Sequence, residues 1–246
     1  MIDQLRNLVS SAARRLPVVS LLLVFLAVPA TLLEPVAQVL QFDRSAFAAG
    51  EVWRLLSCHL THWSFDHLLW DVVALAVLGL LCEPTGRRRF VGCLLASAVA
   101  IPLCVGIFET EIQTYRGLSG LDSAVFILLA VTILGEAWER RNWITVTGTL
   151  LVLLGFCGKI GFELATGATL FVDSQAAEMI PLPLSHLVGA AVGCLFGLLG
   201  RNSTRPTKDR PPTNLRREES SVIPCPSAWP SALKPTSPAA RFSSSV

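Results

Sequence analysis

The sequence predicts an all-α, polytopic membrane protein whose six helices cross the bilayer. Three observations carry that expectation. The 246-residue chain is 52% hydrophobic but only 15% charged, whereas soluble domains carry about 25% charged residues. Six apolar runs alternate with polar connections. Arginine and lysine collect in every second connection.

The apolar runs span residues 17–33, 68–82, 90–108, 120–135, 143–157 and 184–200. A helix needs about 20 apolar residues to cross a bilayer. Several runs are slightly short, which is tolerated where flanking residues snorkel or the bilayer thins locally. The second run holds Asp71 and the fourth holds Asp122, so both score lower on hydropathy alone.

Charge sets the orientation. Arg6, Arg14 and Arg15 precede the first run. Arg87, Arg88 and Arg89 follow the second, Arg140 and Arg141 the fourth, and Arg201, Arg205, Lys208 and Arg210 the sixth. The other three connections are poor in Lys and Arg and hold Glu34, Asp43, Glu51, Glu109, Glu111, Glu163, Asp173 and Glu178. Positive residues stay on the cytoplasmic side, so both termini are expected in the cytoplasm. The expected location is a bacterial inner (plasma) membrane. Reading the first run as a cleaved signal peptide would force every later span to reverse its charge bias. After Gly200 the composition turns to Pro, Ser, Thr and Arg. Residues 1–200 are therefore expected to form the membrane domain, and 201–246 a disordered cytoplasmic tail.

The net charge of +2 and the lack of a basic patch with interleaved aromatics exclude a nucleic-acid partner. The seven cysteines show neither a CxxC pair nor zinc-finger spacing, so no disulfide framework is read from them. The expected partners are the lipid bilayer and a membrane-embedded protein, with no cofactor.

Ionisable and polar groups inside a membrane are expensive, so each is a functional candidate. The four histidines are His59, His62, His67 and His186. With the N-terminus inside, spans two, four and six all run inward from the outer face. His67 opens the second, Ser119 the fourth and His186 the sixth. A hydroxyl and two imidazoles thus share one depth, the layout required by a nucleophile, a general base and an oxyanion stabiliser. Gly117 and Gly120 flank Ser119 and allow a tight entry into the helix. The helix N-terminus supplies unpaired N–H groups beside the serine. Gly189, Gly193 and Gly197 follow His186 at every fourth position, a stripe that lets another helix approach closely. The expected neighbour is span four, which would put His186 within hydrogen-bond reach of Ser119. His67 and Asp71 are four apart and share a face.

These residues resemble the rhomboid family of intramembrane serine proteases. Gly117-Leu118-Ser119-Gly120 matches the family's GxSG motif. Residues 185–193 are similar to its AHxxGxxxG motif, with Ser185 in place of Ala. His62, His67 and Asp71 sit at the spacing of its second-span histidines and Asn, and Trp53-Arg54 resembles the Trp-Arg pair of its first outer loop. The likeness covers residues 15–200 by layout. It implies a six-transmembrane-helix rhomboid-like bundle and a Ser119/His186 dyad without a third acid. The Ser119 N–H and the His67 side chain would hold the oxyanion, and the substrate would be a transmembrane or membrane-anchored protein cut near the outer face. Asp71 stands where most of the family has Asn, and is expected either to be protonated or to pair with His67. Ser123 stands where many members place a Tyr against the base. The compact form and Asp71 are similar to the rhombosortase branch, which processes proteins with a C-terminal Gly-Gly membrane anchor.

Other readings stay open. Asp122 is expected to cap its helix. His62 is expected to support the site from the outer loop or rim, and His59 carries no assignment. Trp53 and Arg54 are read as an interfacial anchor and a loop brace. A rhomboid-like protein that binds transmembrane partners without cutting them is the alternative function. Zinc on His59, His62, His67 and Asp71 would suit the ligand types, but no HExxH is present, and no metal is expected. A transporter would show two matching halves with broken spans, a pattern the six unequal runs lack.

Overall fold

A computed structural model describes residues 16–170, 172 and 180–204, with side chains through Gly200. The expected basic N-terminal arm (Arg6, Arg14, Arg15), Asp173, Glu178 and the Pro/Ser/Arg-rich tail beyond Thr204 lie outside the described residues.

The elements follow in order. Helix α1 (Val18–Leu32) is apolar and ends at Leu33, whose backbone is extended. Pro35 has no N–H for the next rung and would crowd the carbonyl of Thr31. The chain therefore turns by 116° into the short helix α2 (Glu34–Leu40). Strand β1 (Phe42–Asp43), helix α3 (Arg44–Ala48), helix α4 (Arg54–Ser57) and a 3₁₀ turn (Cys58–Leu60) build the first loop. Helix α5 (Phe65–Phe108), strand β2 (Thr114–Tyr115), and helices α6 (Ser119–Glu139), α7 (Trp143–Thr166) and α8 (Pro183–Thr204) complete the chain. The fold is all-α apart from one two-stranded ribbon, in which Phe42 pairs with Tyr115 and Asp43 with Thr114.

Helix α5 is 44 residues long, about 66 Å if straight, roughly twice the thickness of a bilayer core. It is not straight. Gly86 has non-helical backbone (φ −167°, ψ 67°). Asp71 and Ala98, 27 residues apart and so about 40 Å apart along a continuous helix, both reach the same loop. Asp71 bonds the Leu118 N–H, while the His59 ring spans the carbonyls of Ala98 and Gly117. The helix therefore folds back at Gly86 as a hairpin, matching the second and third apolar runs. Among the described residues, four helices are long and apolar enough to cross a membrane, or five with the bent pair α1–α2 counted as one.

Helix α6 is the axis of the bundle. Its most apolar window is 61% buried, against 17% for α7. Large apolar side chains such as Phe25, Leu80, Leu151, Leu154 and Leu195 point outward from the other helices. Exposed apolar surface on this scale fits lipid as the solvent.

Two polar anchors set the ends of the bundle. Helix α1 has no local cap, and the wholly buried Glu83 replaces one from the α5 turn. Its carboxylate accepts from the N–H groups of Val19 and Ser20 and from the Ser20 hydroxyl, each at 3.0 Å, and from Arg87 Nε at 3.0 Å. These are the orphan donors of a first helical turn. At the same end Arg89 donates to the Thr132 hydroxyl and to the Gly197 carbonyl, joining α5 to α6 and α8. At the opposite end three arginines lock the loops. Arg44 donates to the carbonyls of Gly106, Glu109 and Ile112. Arg54 donates to those of Gln38 and Gln41. Arg116 donates to Glu34 and Gln41 and lies over the Trp63 ring. Arg54 is thus the loop brace that the sequence suggested, and Trp53 is half-exposed.

Helices α6 and α8 meet through glycine. A Cβ on Gly193 would sit 2.2 Å from the Ala124 carbonyl oxygen, whereas one on Gly158 of α7 would meet nothing within 4 Å. Gly193→Ala should therefore destabilise the protein by about 1–3 kcal/mol. Gly158→Ala should be neutral or stabilise it by up to about 1 kcal/mol. Thermal unfolding of the purified protein in nanodiscs checks both, and equal midpoints for the two variants would contradict the packing described.

Candidate active site

The site is built around the first turn of α6. Gly117 has φ +128°, a conformation that side chains rarely adopt, and a Cβ there would lie 3.0 Å from the His67 ring. Only glycine fits on both counts. Leu118 provides no side-chain cap. The first rung of α6 runs from the Asp122 N–H to the Leu118 carbonyl at 2.9 Å, so the N–H groups of Ser119, Gly120 and Leu121 precede the helical ladder.

Asp71 holds this turn. Its Oδ2 accepts from the Leu118 N–H at 2.9 Å, and Nε2 of His62 and Nε2 of His67 each lie 3.3 Å from the same oxygen. Oδ2 thus accepts from the backbone and faces both imidazoles. Burial holds the His62 pKa below the ordinary imidazole value. The Thr31 hydroxyl donates to the Leu60 carbonyl at 3.3 Å and lies 3.0 Å from His62 Nδ1, tying the ring to α1. The His67 Nδ1 is buried and has no hydrogen-bond partner.

Helix α8 brings the second half. A Cβ on Gly189 would lie 2.0 Å from the Gly120 carbonyl oxygen, so α8 touches the α6 backbone one turn below His186. A cavity of about 550 Å³ takes in Ser119, His67, Asp71 and His186 together. The His186 ring does not bond the nucleophile candidate. Its Nδ1 meets Ser123 Oγ at 3.1 Å, and Ser123 Oγ donates to the Ser119 carbonyl at 2.9 Å. Its Nε2 lies 3.3 Å from Lys159 Nζ and 3.5 Å from Glu163 Oε2. Among the described residues, no group of three or more His, Cys, Asp or Glu side chains is arranged to hold a metal ion.

A family model for the rhomboid domain matches residues 49–203. The chain belongs to the rhomboid family. The matched stretch runs from the first loop into α8 and includes His62, His67, Asp71, Ser119 and His186. No curated protein matches the chain. Rhomboids are in general intramembrane serine proteases, and some members are inactive. With its several apolar helices, this rhomboid is an integral, multi-pass membrane protein.

Several expectations need correction. The neighbouring of α6 and α8 holds, but the predicted contact between Ser119 and His186 is replaced by one to Ser123, because the hydroxyl one turn on lies closer to the ring. Asp122 caps nothing: both its oxygens are buried without a partner, since the backbone itself begins the α6 ladder. His62 lies in the first loop, one of its two expected places, and like His59 it is buried rather than at a rim. His59 is a brace, with Nδ1 3.1 Å from the Gly117 carbonyl and Nε2 3.0 Å from that of Ala98.

The largest omission is on α7. The fifth apolar run ends at residue 157 and leaves Glu163 in a loop, yet α7 continues to Thr166. Lys159 and Glu163 are its only charged residues, joined at 2.6 Å one turn apart and directed at His186. Two opposite charges at i, i+4 in an otherwise uncharged helix were the available signal.

Two stability outcomes follow for this rhomboid. Asp71→Ala leaves the buried Leu118 N–H without an acceptor, and should cost about 1–3 kcal/mol. Asp71→Asn keeps a carbonyl oxygen there and should lose less than half as much. Asp122→Ala removes an unpartnered buried carboxyl and adds a strong helix former, so its unfolding midpoint should match or exceed that of the wild type. Thermal unfolding in nanodiscs reads all three.

Proposed function

We propose that this rhomboid is an intramembrane serine endopeptidase that cuts transmembrane or membrane-anchored proteins near the outer membrane face, with Ser119 as nucleophile and His186 as general base. The observation that carries the reading is that Ser119 opens α6, beside unladdered N–H groups, in one cavity with His186 and the His67–Asp71 pair.

The hydrogen bonds assign a tautomer suited to the task. Ser123 Oγ gives its single proton to the Ser119 carbonyl, so towards His186 it can only accept. The Nδ1 atom of His186 then carries the ring proton, and Nε2 carries the lone pair. A change of side-chain rotamer would turn that lone pair from Lys159 to Ser119. His186 takes the Ser119 hydroxyl proton as Oγ attacks the scissile carbonyl carbon. The resulting oxyanion is held by the Ser119 N–H. His67 can add a hydrogen bond from Nδ1 when its ring carries both protons, balanced by Asp71. Collapse breaks the C–N bond, and the proton on His186 passes to the leaving amine. Water then attacks the acyl-enzyme by the same route, releasing the acid product and restoring Ser119.

The hairpin in α5 supports counting it as two spans. With the bent pair α1–α2 as another, the bundle has six, with both termini cytoplasmic and a bacterial inner membrane as its location. Asp71 and the compact form support the rhombosortase-like branch, whose substrates carry a C-terminal Gly-Gly anchor.

One observation favours the alternative of an inactive, partner-binding rhomboid: His186 faces Ser123 and Lys159 rather than Ser119. A fluorophosphonate probe separates the two. The protease should label, with the signal abolished by Ser119→Ala and reduced at least about 100-fold by His186→Ala. Folded wild-type protein that takes no label would support the binder. Mass spectrometry of membrane and secreted proteins, wild type against Ser119→Ala, should then show new termini only with the wild type.

A further inference from the structure

The base candidate is surrounded by charge. From α7 the Lys159 ammonium and the Glu163 carboxylate meet His186 Nε2 directly. From α5 comes Asp71, and from α6 Asp122, both lining the same cavity. Lys159 and Glu163 act on the ring in opposite senses. Lys159 Nζ can only donate, so at 3.3 Å it covers the lone pair that the reaction needs and opposes a positive ring. Glu163 is 2% exposed, and its two oxygens divide the work. Oε1 holds Lys159 at 2.6 Å, while Oε2 has no hydrogen-bond partner and sits 3.5 Å from Nε2. A buried carboxylate oxygen left free beside an imidazole is placed to balance the charge of that ring once it is protonated.

We propose that Lys159 and Glu163 form a charge clamp on His186: Lys159 restrains the base by occupying its lone pair, and Glu163 releases it by drawing the ammonium away and countering the charge of the protonated ring. The inference rests on the protease reading. Both are positioning residues that act through His186. The clamp makes a demand that a purely structural ion pair does not, because the two partners must affect the reaction with opposite sign. A charge within about 4–6 Å weights a protonation step by a factor of roughly 10 to 1,000, so the effects are large enough to read.

The test is the second-order rate of fluorophosphonate labelling of Ser119 in full-length protein in nanodiscs, with thermal unfolding measured on the same samples. Lys159→Met should label about tenfold or more faster than the wild type. Glu163→Gln should label about tenfold or more slower, and Glu163→Asp should recover part of that loss by keeping a carboxylate. Lys159→Gln serves as a second neutral variant if the Met form fails to fold. Slower labelling in both the Lys159 and Glu163 variants, or rates unchanged in both, would overturn the clamp while leaving the protease reading intact. Loss of folded protein in both Lys159 variants, with Glu163→Gln folded, would assign the pair to packing and also overturn it. A folded wild type that takes no Ser119-dependent label removes the protease reading itself, and the clamp with it.

Discussion

Backbone contact between α6 and α8 is the constraint on which the rest of the site depends. Position 189 has room for a hydrogen atom and nothing larger, since a Cβ would lie 2.0 Å from the Gly120 carbonyl oxygen. The same holds one turn further at Gly193 against Ala124. In a bilayer no hydrophobic force draws helices together, because lipid is as apolar as leucine, so close packing of small residues must supply the attraction. The crossing point fixes which residues of the two helices share a level. Ser119 is one residue before Gly120 and His186 is three before Gly189, so a contact made for packing also brings the hydroxyl and imidazole into one cavity.

The polar groups above that contact are held by a second economy. A backbone turn inside a membrane must satisfy its own donors, and the loop from Gly117 to Ser119 has no regular structure to do so. Asp71 takes the Leu118 N–H, and its charge is met by two imidazoles at 3.3 Å. His59 works from the other side, its ring between the Gly117 and Ala98 carbonyls. An Asn at position 71 could accept the same N–H, but would turn a neutral amide rather than a carboxylate to the two rings. Glu83 repeats the device at the far end of the bundle, where a distant carboxylate caps α1 in place of a local side chain.

Much of this was legible in the sequence, for physical reasons that vary by residue. The helices were visible because lipid demands long apolar runs, and the depth of Ser119, His67 and His186 followed from the alternation of Arg-rich connections. Gly189 and Gly193 were readable as a packing face because their spacing matches the helical repeat. Partners distant in sequence were not readable. Nothing local to Glu83 points to Val19 and Ser20, and nothing local to His59 points to Ala98. The bend after Leu33 needed Pro35 to be weighed against an otherwise continuous apolar pattern. Ser123 was noted as a missing tyrosine, whereas its hydroxyl is the group that sets the His186 tautomer. Lys159 and Glu163 escape the reading because the fifth apolar run stops about two and a half turns before the helix does, as it must when an ion pair interrupts an apolar helix.

That ion pair is hard to explain by stability. Helix α7 is the least buried of the long helices, and an ion pair in an apolar setting is often replaceable by hydrophobic residues of similar volume without loss. The pair also fails to close on itself: one glutamate oxygen is committed to Lys159 and the other stays free, although both are buried. An ion pair whose only task was to neutralise itself would have no use for the free oxygen. The ring at 3.5 Å gives it one, because that oxygen faces a ring that becomes positive when it takes a proton. The charges on α7 therefore belong to the chemistry of the cavity rather than to the cohesion of the bundle.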